Sequence, residues 1–168
     1  ETKGLDLFDT QTGRVHHFPL NFKGDYLVER VAVVKIRESA DGTIWVRKGG
    51  VGLIRIPIPK AWESGLPDTP DLSDAPGIMP FPICSGQQET DRMIDFELRS
   101  NGDLVVSTTQ KQFSLNVEQG TCQPMNVDKL PNNLGQVALS RRKGTEVCWF
   151  LNNSSVCRLS NGVLRTFE

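Results

Sequence analysis

Apolar and polar residues alternate along much of this chain with a period of two. In Met93-Ile94-Asp95-Phe96-Glu97-Leu98-Arg99, the side chains of Ile94, Phe96 and Leu98 interleave with Asp95, Glu97 and Arg99. Successive strand side chains point to opposite faces, so this run predicts one face inward and Asp95 and Glu97 outward in water. Phe113, Leu115 and Val117 alternate with Ser114, Asn116 and Glu118, and Ile54, Ile56 and Ile58 with Arg55 and Pro57. Residues 31–36 are largely aliphatic on both faces, Lys35 apart, and predict a more fully buried strand. No long i, i+3, i+4, i+7 pattern occurs, and 15 Gly and 10 Pro divide the chain into short runs. An all-β protein is expected.

The turns between these runs repeat. Gly102 and Gly144 lie 42 positions apart, and so do Gly120 and Gly162. Two separate turns that keep one spacing indicate a duplicated β-unit, and a period of about 40–50 residues is that of propeller blades. Asn101-Gly102 and Asn161-Gly162 between apolar segments are strong hairpin signals, because a type I′ turn needs φ > 0 at both central residues. The expected fold is a partial β-propeller of about three and a half four-stranded blades in one segment, 1–168. Its parts are a hairpin at 1–20, blades at 30–60, 91–127 and 134–168, and a Pro-rich insertion at 61–90. That insertion breaks the period, since Gly42 precedes Gly102 by 60 positions. Pro67, Pro70, Pro76, Pro80 and Pro82 fall in it and withhold backbone donors, so a surface loop is expected, ending in a short edge strand at 81–84.

Composition narrows the function. The 168 residues suffice for one domain with a sizeable core. With 19 Lys+Arg against 20 Asp+Glu, the chain lacks the basic surplus of a nucleic-acid binder. No apolar run reaches the roughly 18–20 residues that span a bilayer, so no membrane contact by this segment is expected. Cys84, Cys122, Cys148 and Cys157 show no C-x-x-C spacing. They read as small buried hydrophobes, with a cross-strand disulfide between Cys148 and Cys157 as the alternative.

Candidate chemistry is sparse. His16 and His17 are adjacent in a strand and point to opposite faces, so they do not chelate one metal. Asp68, Asp71 and Asp74 lack the D-x-D-x-D-G spacing of a calcium loop and read as a solvated acidic stretch. No G-x-S-x-G elbow, P-loop or G-x-G-x-x-G stretch is present. No catalytic residue, no metal and no cofactor are expected. Trp45 and Trp149 are expected to pack between neighbouring sheets. Trp62, beside Lys60 at the mouth of the insertion, is a candidate for stacking on a sugar or anchoring a partner. Arg141 and Arg142, at a basic hairpin tip, are candidates for an anionic partner.

Two stretches carry a resemblance. Ile36-Arg37-Glu38-Ser39-Ala40-Asp41-Gly42-Thr43-Ile44-Trp45-Val46, followed by Gly52-Leu53-Ile54-Arg55-Ile56, resembles a blade repeat of the sensor propellers of hybrid two-component regulators. Gly4-Leu5-Asp6-Leu7-Phe8-Asp9-Thr10-Gln11-Thr12-Gly13 resembles the Asp-x-x-Thr-Gly hairpin of the same repeat. The second unit has Val105 where the first has Trp45, and the third has Trp149 two positions later. The resemblance implies the periplasmic sensing region of a membrane-bound histidine kinase, often tuned to carbohydrate. The expected function is therefore non-catalytic binding of an oligosaccharide or other small ligand in an extracytoplasmic sensor. The alternatives are a structural module that self-associates through open blade edges, or a propeller-scaffold carbohydrate-active enzyme.

Overall fold

Glycine-closed turns set the frame of the computed structural model, which describes residues 4–19, 33–48, 52–59, 62, 79–80, 93–125, 135–142, 144–151 and 154–167. In the turn after Ser39, the Gly42 N–H donates to the Ser39 carbonyl at 2.9 Å, and the Ser39 N–H to the Thr43 carbonyl at 2.9 Å. The turn after Arg99 repeats this, with Gly102 N to Arg99 O at 3.2 Å and Arg99 N to Asp103 O at 2.8 Å. Gly42 and Gly102 sit at φ 79° and 86°, in the left-handed region. Asn101 is not among the positive-φ residues, so Asn101-Gly102 is not the expected type I′ turn. It is a three-residue loop whose final glycine alone takes φ > 0. Asn161-Gly162, at φ 49° and 74°, does have both central residues there.

Between the turns, the described residues form fourteen strands. β1 (Gly4–Phe8) and β2 (Val15–Pro19) form a two-stranded antiparallel hairpin. β3 (Val33–Glu38), β4 (Ile44–Lys48), β5 (Gly52–Ile56) and β6 (Met79–Pro80) form the first four-stranded sheet. β7 (Met93–Leu98), β8 (Leu104–Thr108), β9 (Gln112–Asn116) and β10 (Thr121–Pro124) form the second. β11 (Val137–Arg142), β12 (Thr145–Leu151), β13 (Val156–Ser160) and β14 (Val163–Phe167) form the third. Every sheet is a meander whose neighbours are consecutive in sequence, and no helix occurs among the described residues. The architecture is all-β, with sheets of two, four, four and four strands that make a partial propeller.

The first sheet takes its fourth strand from the Pro-rich segment. Met79 and Pro80 pair with Arg55 and Ile54 on the sheet edge, where a missing Pro N–H costs no ladder bond on the outer side. Residues 81–84, expected as that strand, lie outside the described residues, as do Asp68, Asp71 and Asp74.

The chain divides into two compact units, Glu1–Phe81 and Pro82–Glu168. In the first, Phe18, Leu5 and Leu7 of the hairpin pack with Val46, Ile54 and Ile56 of the sheet behind it. In the second, Val105 and Met125 pack with Val137, Cys148, Phe150, Cys157 and Leu159. That contact joins the second and third four-stranded sheets face to face. It also corrects the expectation for β7. Asp95 and Glu97 are buried rather than solvated. Stacked sheets cover both faces of a strand, so alternation no longer separates core from solvent.

Candidate functional site

The turn carboxylates hold geometry. Asp9 Oδ1 accepts from the Gln11 N–H at 2.8 Å and Asp9 Oδ2 from the Thr12 hydroxyl at 2.6 Å. Asp41 accepts from the Ser39 hydroxyl and, at 3.1 Å, from the Thr43 N–H. The Thr12 hydroxyl and Gln11 N–H hold the Asp9 carboxyl below its ordinary range, and Ser39 and Thr43 do the same for Asp41. Trp45, three residues beyond Gly42, is sealed at 1% exposure, with the Arg55 guanidinium 5.9 Å from its ring centroid. The motif Ser39-x-Asp41-Gly42-x-x-Trp45 is thus a turn lock followed by a core anchor.

A buried carboxylate tier joins the second and third sheets. Asp95 Oδ2 accepts from the Val137 backbone N–H at 2.9 Å, and its Oδ1 from the Phe96 N–H at 2.9 Å. Arg99 Nε donates to Glu146 Oε1 at 2.6 Å, and the Ser100 N–H to Glu146 Oε2 at 3.1 Å. Burial alone would raise the Glu146 carboxyl, but the Arg99 guanidinium and the Ser100 donors outweigh it and hold it low. These groups fasten one sheet to the next. Sequence reading missed these fastenings because each partner across the sheets lies more than 40 residues away, beyond any local pattern.

Trp62 belongs to the first unit. Its N–H donates to the Pro59 carbonyl at 2.9 Å, and its half-buried ring lies 5.7 Å from that of Phe18, tilted by 31°. It joins the cluster under the hairpin. Lys60 lies outside the described residues. Arg141 and Arg142 end β11 in the second unit, where Arg141 is exposed and directly opposite Glu146. His17 Nδ1 lies 2.7 Å from Asp6 Oδ1, while His16 stands opposite Leu7 on the other face.

The third sheet presents an open face. Trp149 occupies its middle, opposite Ala138 on one side and Arg158 on the other. Its Nε1 donates to Ser140 Oγ at 2.9 Å, Phe167 lies 6.4 Å from it ring to ring, and the Arg158 guanidinium 5.9 Å from its centroid. Trp149 is half-buried and does not pack between sheets as expected. Phe167, Val163, Leu151 and Val156 are exposed on the same face. An indole beside one arginine and several apolar residues is suited to a flat, partly anionic or apolar surface.

Cys148 and Cys157 are free and buried, which settles the alternative of a bridge between them. Burial pushes the Cys148 thiol up to about 11. Cys122 is disulfide-bonded, contrary to the reading of all four cysteines as buried hydrophobes, and Cys84 lies outside the described residues.

No protein-family model matches the chain, and no curated protein matches it in sequence. Solved structures do share its fold. Virginiamycin B lyase from Staphylococcus aureus aligns at a TM-score of 0.63 and 14% identity, covering 99% of this chain and 49% of that one. A catalytically inactive variant of that lyase, solved with quinupristin, aligns equally well. The extracellular domain of a hybrid two component system from B. thetaiotaomicron aligns at 0.60 and 15% identity, covering 94% of this chain and 19% of that one. The chain therefore spans about half the length of the lyase and a fifth of the sensor domain. At these identities the likeness establishes the propeller fold, shared by an enzyme and a sensor.

Proposed function

We propose that the chain is a ligand-binding propeller segment of an extracytoplasmic sensor, without catalytic activity of its own. The observation that carries this reading is the pair of turn locks, Asp9-Thr10-Gln11-Thr12-Gly13 and Ser39-Ala40-Asp41-Gly42 leading to Trp45, which resemble sensor-blade repeats. The likeness to an extracellular sensor domain supports it. So does the disulfide at Cys122, since such bonds persist in oxidising compartments. An oligosaccharide is the ligand class, with Trp62 as stacking platform and Lys60 as its polar contact; Arg141 and Arg142, in the other unit, are separate candidates for an anionic partner.

Titration of an oligosaccharide panel by calorimetry tests the reading. Binding weakened about tenfold by Trp62→Ala, with Trp62→Phe retaining most affinity, supports it; tenfold corresponds to about 1.4 kcal/mol. Absence of binding across the panel would count against it.

The lyase likeness favours a second reading, a propeller-scaffold enzyme. With only 49% of the lyase chain matched, its active site would draw on residues beyond this segment. Mass spectrometry of quinupristin incubated with the protein tests this second reading: a product mass would support the enzyme and overturn the non-catalytic module.

A further inference from the structure

The first four-stranded sheet gathers positive charge on the face that turns away from the hairpin. On its core side Ile44, Val46, Ile54 and Ile56 pack with Phe18, Leu5 and Leu7. On the reverse side the register sets Arg37, Trp45 and Arg55 directly opposite one another across β3, β4 and β5, and Lys35 opposite Arg47 in the next row. Within these three strands the acidic residue is Glu38, and it stands opposite Ile44 on the core side. Four cations therefore share one face with no carboxylate from their own strands, and like charges this close repel. The repeat itself does not ask for them. Trp45 stands three residues beyond Gly42, and the matching row of the second sheet, three residues beyond Gly102, holds Glu97, Val105 and Ser114.

Arg55 is the least compensated of the four. It is half-buried, its guanidinium lies 5.9 Å from the centroid of the sealed Trp45 ring, and its Nε is enclosed without a hydrogen-bond acceptor. Among the described residues no ion pair reaches it. Arg37, exposed on the other side of Trp45, donates from Nη1 to the neighbouring Ile36 carbonyl at 2.9 Å. Enclosing an unpaired guanidinium costs free energy that an anion recovers, and its planar fork of N–H groups matches two oxygens of a carboxylate or phosphate. We infer that Arg55 and Arg37 form a binding site for the oxyanion group of a small ligand. The Trp45 ring holds the Arg55 guanidinium in place, and Lys35 and Arg47 add to the positive field. At 1% exposure Trp45 offers no stacking surface, so the ligand is read by its charge and oxygen geometry. The site lies within the first unit, and neither Trp62 nor a neutral sugar enters it, so it does not depend on the sensor reading.

Thermal unfolding of the protein against rising sodium phosphate, and separately sodium galacturonate, tests this, with sodium chloride at matched ionic strength as the reference. A ligand that binds only the folded chain raises the melting temperature saturably, and the curve yields its Kd. A saturable rise with at least one oxyanion and none with chloride is expected. The stronger of the two responses assigns the site to a phosphate-like or a carboxylate group. Arg55→Met should raise that Kd about tenfold or more, while Arg165→Met, an exposed cation of the other unit, leaves it unchanged. Without oxyanion, Arg55→Met should melt no lower than the wild type, because its stem still covers Trp45 and an unpaired charge is gone. Should that variant fail to fold, Arg37→Gln at its exposed position takes its place, with the same loss expected. A rise that chloride reproduces at equal ionic strength overturns the inference, since screening of clustered cations would then account for it. So does an Arg55→Met protein that melts lower yet keeps the full oxyanion response, because Arg55 would then serve packing alone.

Discussion

Glu146 is the residue on which the contact between the second and third sheets turns. It takes one bond from Arg99 Nε and two from Ser100, all across a gap of more than 40 residues in sequence. Replacing it with Gln keeps the shape and removes the charge. Hydrogen bonds to charged groups contribute about 1.5–3 kcal/mol, less where solvent reaches them, so Glu146→Gln should destabilise by about 1–2 kcal/mol at neutral pH. The carboxyl is held low in the folded protein, so its contribution is present above the unfolded value near 4.5 and fades as pH falls through the folded one. Urea melts of both proteins at pH 7 should therefore differ, and the gap should close below pH 4.5. A gap that stays constant down to pH 3 would assign the loss to packing rather than charge. Asp9 and Asp41, also held low, add acid sensitivity in the same direction.

Among the elements, the hairpin turns were the most legible and the most constrained. Gly42, Gly102, Gly120, Gly144 and Gly162 all adopt positive φ, which is why their spacing survives as a repeat while the strand residues between them vary. A Cβ at Gly102 would meet nothing within 4 Å, so Gly102→Ala isolates backbone strain from crowding. It should cost about 1–2 kcal/mol in thermal or urea unfolding, and Gly102→Asn less, because Asn tolerates that region. Equal losses for both would point to lost turn hydrogen bonds instead. The strands were readable for the same local reason: β5 (Gly52–Ile56) and β14 (Val163–Phe167) fall where alternation and turns place them. What local pattern could not carry was the stacking. Alternation in β7 marks Asp95 and Glu97 as polar but says nothing of the sheet that covers them, so they read as solvated. Trp45 and Trp149 look alike in sequence, yet one is sealed and the other half-buried, a difference that no local pattern announces. The two-residue β6 is too short to leave a periodic signal at all.

For the whole molecule, cysteine chemistry divides along burial. Cys148 and Cys157 are free, buried thiols inside the sheet-to-sheet core, and burial raises the Cys148 thiol to about 11, so Cys148 presents no reactive thiolate at neutral pH. Cys122 lies on β10, which among the described residues pairs with β9 alone, and it is disulfide-bonded. Removing a native disulfide costs about 2–5 kcal/mol. In a chain of this size each kilocalorie moves the midpoint by about 2–4 °C, so a reductant should lower the melting temperature on the order of 10 °C. Cys122→Ser should melt at the lowered temperature with or without reductant. Alkylation of the native, unreduced protein should label neither Cys148 nor Cys157 until the chain unfolds. A melting temperature indifferent to reductant would mean that the bond adds nothing to the folded edge, and would remove the oxidising compartment from the grounds for an extracytoplasmic sensor. A large fall confined to the reduced wild type would tie the stability of this all-β segment to such a compartment.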